Sequence, residues 1–319
     1  MKRHKICKII LAILAFFLCV AFYELIGICI TYKKQPAVSD ATIKETQNIM
    51  SVAGRENTER AVIIEKNSQA LLERVRLIQN AKDEIILSTF AFKSDESGKL
   101  ILGALHDAAD RGVHVRILVD GMESWIDMEG NPYFYGLSSH ENVEIKLYNK
   151  ANPLKPWKTM GRMHDKYLIA DGKIYILGGR NTYNYFLGDF PGHKNFDRDV
   201  LVVCDEPQKD NSVNQLWNYF ETIWEQEDCR YFHNSKKLAD RQSVKKAVLE
   251  LQEGYQQYFV VNKEKICDTD YADETFETEK ITLLSNPIHT GAKEPVVWYQ
   301  LGELMKNAKE RVKIHTPYI

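Results

Sequence analysis

The chain has 319 residues, 44% of them hydrophobic and 11% aromatic, enough apolar side chain to bury a sizeable core and too much for a disordered chain. Lysine and arginine number 42 against 44 aspartate and glutamate, so no whole-chain electrostatic bias toward a polyanion such as DNA exists. The six cysteines, Cys7, Cys19, Cys29, Cys204, Cys229 and Cys267, form no C-x-x-C pair and no metal-ligand spacing, and are expected as free thiols.

Residues Ile9 to Ile30 are almost continuously apolar, broken only by Glu24. At about 1.5 Å per residue such a helix crosses a hydrocarbon layer of roughly 30 Å. The stretch is longer than the apolar core of a secretory signal, and no A-x-A-like cleavage site follows it. Lys2, Arg3, Lys5 and Lys8 precede it and Lys33 and Lys34 follow, a bias that predicts a cytoplasmic N-terminus and an extracytoplasmic remainder. From Gln35 the composition turns polar, as in a tether.

A helix is predicted over Ser68–Ala81 from Leu71, Leu72, Val75 and Ile78, followed by a strand over Glu84–Phe92. A second helix holds Leu100, Ile101, Leu105 and Ala109, stops at Arg111-Gly112, and leads into a strand over Val113–Val119. This alternation predicts an α/β fold with covered sheet faces. A short strand is expected over Val143–Tyr148, and a hairpin from Met163–Ala170 to Lys173–Leu177 turning on two residues, Asp171-Gly172. Val200–Val203 reads as a strand and Val213–Glu225 as an amphipathic helix whose Trp217, Phe220 and Trp224 suit a core. Asp273–Lys280 is charged and expected to be a solvated connection. Leu77–Phe92 and Leu304–Ile319 share five identities, including Asn80-Ala81-Lys82 against Asn307-Ala308-Lys309, and both are expected to run from helix into apolar strand. The repeat predicts that a second copy of the first domain begins where this chain stops.

The chemistry concentrates in His164-Asp165-Lys166-Tyr167-Leu168-Ile169-Ala170-Asp171, continuing through Gly178-Gly179-Arg180-Asn181. On a strand, residues two apart share a face, so His164 and Lys166 are expected to project together. A neutral imidazole is a competent nucleophile or proton carrier near neutrality, and an ammonium beside it can hold an anionic group such as a phosphate. The small Gly178-Gly179 pair permits close backbone approach on the return strand, which carries the Asn181 amide toward the same place. Tyr183, Tyr185, Phe186 and Phe190, like Trp157 and Met160, suit either ordinary packing or contact with acyl chains.

This pattern, His-x-Lys-x(4)-Asp with six further residues before Gly-Gly and Asn two positions on, resembles the signature of the phospholipase D superfamily. Leu105–Arg116 resembles its helix-to-strand segment, Phe196–Val200 the segment after the motif, and Thr316-Pro317-Tyr318 the strand opening its second half; within the superfamily the likeness is to the cardiolipin synthase-like branch. The resemblance implies a mixed sheet flanked by helices, here preceded by one transmembrane helix. The organisation it suggests is an anchor over residues 1–34, a polar linker over 35–60, a first phospholipase D-like domain over 61–235, a connecting segment over 236–280 and the start of a second such domain over 281–319. It implies phosphodiester transfer or hydrolysis on phospholipids through a phosphohistidine, with no metal and no cofactor. It further implies that His164 acts as nucleophile or general acid, that Lys166 and Asn181 bind phosphate, that Asp171 supports the site from the hairpin turn, and that Asp199 orients the far nitrogen of His164. The family pairs two such motifs, and no second one occurs here: His140, His193 and His315 lack the spacing. A missing C-terminal half or a homodimer partner is therefore expected to complete the site, and the chain alone to be inactive. The expected partners are a membrane and a phospholipid, without nucleic acid. A nuclease of the same superfamily and a catalytically silent, membrane-anchored binding module are the alternatives.

Overall fold

A computed structural model describes residues 2–51, 59–152, 154–233 and 235–314. In chain order its helices are α1 (Lys2–Tyr32), α2 (Asp40–Ser51), α3 (Asn67–Asn80), α4 (Glu96–Asp110), α5 (Gly121–Asp127), α6 (Pro132–Ser138), α7 (Ser212–Trp224), α8 (Lys236–Ala239), α9 (Gln242–Cys267) and α10 (Val296–Asn307). Its strands are β1 (Glu59–Ile64), β2 (Glu84–Thr89), β3 (His114–Asp120), β4 (Val143–Tyr148), β5 (Tyr167–Ala170), β6 (Ile174–Gly178), β7 (Asp199–Cys204), β8 (Cys229–Tyr231) and β9 (Phe276–Glu277). The chain divides into two compact units. One comprises residues 53–150 and 162–283, the other residues 1–52, 151–161 and 284–319.

The larger unit is a mixed sheet in the order β8-β4-β3-β2-β5-β6-β7-β1-β9. β2, β3 and β4 run parallel, and the remaining pairings are antiparallel. Alternation along the strands sorts side chains to two faces. Ile85 and Leu87, Val115 and Ile117, Ile145 and Leu147, with Leu168, Ile176 and Leu201, enter the core shared with α3, α4, α6 and α9. The opposite face carries Arg116 and Tyr167, which meet α7: the Arg116 guanidinium lies 4.8 Å from the Phe220 ring centre, and Tyr167 lies 6.5 Å from Tyr219. Phe220 and Trp224 are buried, as their helical spacing implies.

Gly112 ends α4 at φ +91, donating its N–H to Ala109 O while Val113 N–H reaches Ala108 O. This is a Schellman closure, the reason the Arg111-Gly112 stop signal works. The hairpin turns on Asp171 and Gly172, both left-handed at φ 51 and 61, but its loop holds three residues rather than two, because Ala170 pairs with Ile174 and the Lys173 carbonyl accepts from Cys204 N–H.

The segment over 236–280 does more than connect. α9 buries Val244, Ala247, Leu251 and Tyr255, and Gly103 of α4 admits it so closely that an added Cβ would stand 2.6 Å from the Leu251 carbonyl oxygen. β9, within the charged stretch, adds an edge strand to β1. In the smaller unit, α1 contains a stretch, His4–Tyr32, long and apolar enough to cross a membrane, with mean hydropathy 2.7. The presumed linker is partly helical, since α2 occupies Asp40–Ser51. Ser39 N–H and the Thr42 hydroxyl both donate to Glu294 Oε1, at 2.8 and 2.6 Å. The repeat keeps its helix in α10, but residues 309–314 form no strand, and Thr316-Pro317-Tyr318 lie outside the described residues. All six cysteines are free thiols, as expected.

Candidate active site

Strand direction assembles the site. β5 runs antiparallel to β2 with Tyr167 opposite Ser88, so the residues just before β5 lie at the C-terminal ends of β2 and β3, the edge where open α/β sheets bind ligands. Gly178, opposite Asp199, brings the segment after β6 to the same edge.

His164 and Lys166 do not lie on β5 itself. β2 ends at Thr89 and offers no further ladder, so residues 162–166 lead into β5 outside the sheet and are held by other bonds. Met163 N–H donates to Asp120 Oδ2 at 3.1 Å, and Gly178 N–H donates to the Lys166 carbonyl at 3.2 Å. The Lys166 ammonium folds back to donate to the His164 carbonyl at 2.6 Å. Phe90, immediately beyond β2, is the element both share: its ring meets the His164 imidazole edge-on with centres 4.6 Å apart, and Lys166 Nζ stands 5.3 Å from the ring centre.

The two side chains differ in environment. His164 is open to solvent on one side, whereas Lys166 is only 6% exposed. The protein volume around the imidazole, followed by the Lys166 charge, holds the His164 pKa below its ordinary value, against the nearby Asp120 carboxylate. Burial lowers the Lys166 pKa to about 8, against the pull of Asp165 and Asp197. The edge therefore presents a neutral imidazole at pH 7 beside an ammonium close to its own titration point. Asp165 points elsewhere, accepting from the Tyr219 hydroxyl at 2.8 Å.

Asn181 reaches this edge. Its Oδ1 accepts from Ala91 N–H at 3.2 Å, and its Nδ2 group has no hydrogen-bond partner among the described residues. Gly178 and Gly179 are small for a visible reason. An added Cβ would stand 2.0 Å from Asp199 Oδ1 at the first and 1.9 Å from Asp197 Oδ2 at the second.

Asp171 supports from the hairpin turn, as expected, at a distance from the imidazole, whereas Asp199 is used otherwise. Asp171 sits at the far end of the hairpin, five residues from Lys166, about 17 Å along extended chain. Its carboxylate accepts from the N–H groups of Lys82, Asp83 and Glu84 at 2.9, 2.8 and 3.0 Å, pinning the hairpin to the turn between α3 and β2. It supports the fold and is not gathered with His164. Asp199 is fully buried and paired with two guanidiniums, Arg74 at 2.9 Å and Arg180 at 3.3 Å, so its charge is committed inside the sheet edge and does not orient His164.

Sequence reasoning overlooked Phe90, Asp120, Arg162 and Asp197. Asp120 caps α5, accepting from Met122 N–H at 3.0 Å, and binds Arg162, whose guanidinium also reaches Glu123 at 3.2 Å. The legible signal was an acidic residue closing an apolar strand at Val119-Asp120-Gly121, the position where a parallel strand delivers polar groups. The aromatics after the motif pack ordinarily: Phe186 is buried, and Tyr183, Tyr185 and Phe190 lie against the core. Trp157 meets Tyr23 edge-on within the smaller unit. Among the described residues no group of three or more metal-ligating side chains occurs.

His164, Lys166 and Asn181 thus stand at one edge of an α/β sheet. Residues 75–224 match the family model described as cardiolipin synthase, PLD-like domain. That domain belongs to the phospholipase D superfamily, on its cardiolipin synthase-like branch. An uncharacterized protein of Helicobacter pylori is 27% identical over 82% of this chain and 54% of its own length. Cardiolipin synthase C of Escherichia coli is 29% identical over 44% of this chain and 31% of its own, and cardiolipin synthase 1 of Staphylococcus aureus 35% identical over 35% and 22%. The chain thus spans about half the length of the first of these relatives and less of the others. Among solved structures, phosphatidylserine synthase of Haemophilus influenzae has a TM-score of 0.46 at 16% identity, covering 68% of this chain and 48% of that one. The phospholipase D family member Nuc of Salmonella typhimurium has a TM-score of 0.40 at 17% identity, covering 55% and 99%.

Proposed function

We propose that this chain supplies one half of a phosphodiester-transfer site acting on phospholipids, with His164 as the group that bonds to phosphorus or protonates the leaving alcohol. The observation that carries the reading is the pairing around Phe90 of an accessible, neutral imidazole with a buried ammonium. As nucleophile, His164 forms a nitrogen–phosphorus bond while the phosphorus–oxygen bond to the first alcohol breaks, and a second acid protonates that alcohol. A second alcohol, or water, then gives its proton to the conjugate base of that acid as it bonds to phosphorus, and the nitrogen–phosphorus bond breaks to free the imidazole. Lys166 and the Nδ2 group of Asn181 neutralise and hold the phosphate oxygens. The second acid comes from outside this motif, in a further half-site or a second copy of the chain. The apolar N-terminal helix anchors the domain at the membrane, with the basic N-terminus in the cytoplasm and the sheet domain outside.

The test uses the full chain in phosphatidylglycerol-containing nanodiscs. An acid-labile phosphatidyl adduct on His164, seen by intact mass, is expected where His164 attacks, and turnover without that adduct where it protonates the leaving alcohol; His164→Ala abolishes either. Absence of both adduct and turnover at every protein concentration, including those at which the chain self-associates, overturns the reading.

A further inference from the structure

In the helix layer of the larger unit, between α3 and the second half of α9, lies a cavity of about 510 Å³. We propose that it is a binding site for a small aliphatic amine, held through its primary ammonium on the Glu73 carboxylate. None of the lining residues belongs to the His164 edge, so the site stands or falls apart from the phosphodiester chemistry.

Two helices build the cavity. Leu72, Glu73 and Arg76 come from α3, and Tyr258, Asn262 and Lys265, four and three residues apart, share one face of α9. Glu73 is 5% exposed, and its Oε1 has no hydrogen-bond partner among the described residues. That oxygen is open to the cavity and not sealed within the protein. The other oxygen, Oε2, meets Arg76 Nη1 only at 3.5 Å, the limit of a hydrogen bond.

Arg76 is committed elsewhere. Its Nε donates to the Asp268 carbonyl at 2.6 Å, Nη1 to Glu274 Oε2 at 2.8 Å and Nη2 to the Asp270 carbonyl at 3.2 Å, and its Cζ lies 4.0 Å from the centre of the Tyr271 ring. Three carboxylates, those of Glu73, Asp268 and Glu274, therefore surround one guanidinium. Burial raises the Glu73 pKa against the pull of Arg76, and the charges of Glu274 and Asp268 add to the rise. What the cluster lacks is a second cation, because a buried carboxylate is costly unless it is paired.

An ammonium supplies that charge and finds further acceptors. It donates to Glu73 Oε1 and to Asn262 Oδ1, whose Nδ2 group is already spent on the Tyr258 carbonyl at 2.9 Å. The alkyl part of the amine lies against Leu72 and the Tyr258 ring, both half-buried at the cavity wall. A neutral alcohol brings donors but no charge, and leaves the excess of carboxylates uncompensated. An anion finds the Lys265 ammonium but meets three carboxylates with it. A metal ion needs several oxygens converging on one point, and no such set occurs among the described residues.

The test uses the full chain in phosphatidylcholine nanodiscs, whose lipid carries no net charge, with empty nanodiscs as the blank. Saturation-transfer NMR is expected to show 1,4-diaminobutane bound at least about 10-fold more tightly than 1,4-butanediol, 10-fold being about 1.4 kcal/mol. Glu73→Gln, which keeps the shape of the side chain and removes its charge, is expected to abolish that preference. Lys265→Met is expected to leave amine binding intact or tighten it, and His164→Ala to leave it unchanged. Asn262→Leu, on the accessible face of α9, is expected to weaken the amine by about 3-fold or more, and it carries the test where Glu73→Gln fails to fold. Equal binding of diamine and diol, a preference that neither Glu73→Gln nor Asn262→Leu alters, or a loss on Lys265→Met as large as that on Glu73→Gln overturns the site.

Discussion

Asp120 and Arg162 are joined by a forked ion pair, with Arg162 Nε 2.9 and 3.0 Å from the two carboxylate oxygens and Nη2 2.7 Å from Oδ1. Asp120 is 1% exposed and also takes the Met163 N–H, so one carboxylate closes β3, starts α5 and fixes the two residues before His164. Asp120→Ala is expected to cost about 1–3 kcal/mol, because the Arg162 side chain it abandons is 31% exposed and can reach water. Urea unfolding of the full chain in detergent measures the loss, and broadening of the His164 imidazole signal in the same variant checks that the lead-in loosens.

The pH dependence has a definite sign at both ends. Because the His164 pKa lies below its unfolded value of about 6.5, the unfolded chain binds the extra proton first. Its contribution to stability is present above about pH 6.5 and is lost as pH falls through the folded pKa. The nucleophilic fraction of His164 falls over the same window. On the alkaline side, Lys166 gives up its proton near pH 8, so anion binding is expected to weaken above about pH 8 and not near the usual lysine range. NMR titration of His164 and phosphate-probe binding against pH read the two limbs. Lys166→Met is expected to raise the His164 pKa toward its ordinary value by removing the ammonium, and to flatten the alkaline limb.

Asp171 separates structure from chemistry. Its three main-chain donors predict a loss of about 2 kcal/mol for Asp171→Ala, and a smaller one for Asp171→Asn, which keeps an acceptor and tolerates the left-handed turn. The His164 titration curve is expected to stay unchanged in both. A shift in that curve would return Asp171 to the site.

Asp199→Ala leaves Arg74 and Arg180 as neighbouring buried cations, and is expected to cost about 3–5 kcal/mol. Thermal unfolding reports the loss. The His164 pKa is again expected to stay in place, whereas an upward or downward move in the isosteric Asp199→Asn variant would show that Asp199 orients the imidazole after all.

Local signals determined much of this protein from its sequence. Helix α3, the Gly112 stop, strands β2 and β3, the left-handed Asp171-Gly172 turn and the nearness of His164 to Lys166 follow from periodicity, glycine sterics and short spacing, all of which act within a few residues. The apolar N-terminal helix is equally a local property. Tertiary structure decided what depends on distant partners. β2 stops at Thr89, so His164 and Lys166 leave the ladder and meet at Phe90 instead of sharing a strand face. Asp171 and Asp199 look alike in sequence, one motif carboxylate and one strand carboxylate, but the first finds three amide donors from the α3–β2 turn and the second two arginines from α3 and the 180 segment. A carboxylate's role is set by which donors the fold brings within 3 Å, and sequence spacing carries no information about donors a hundred residues away.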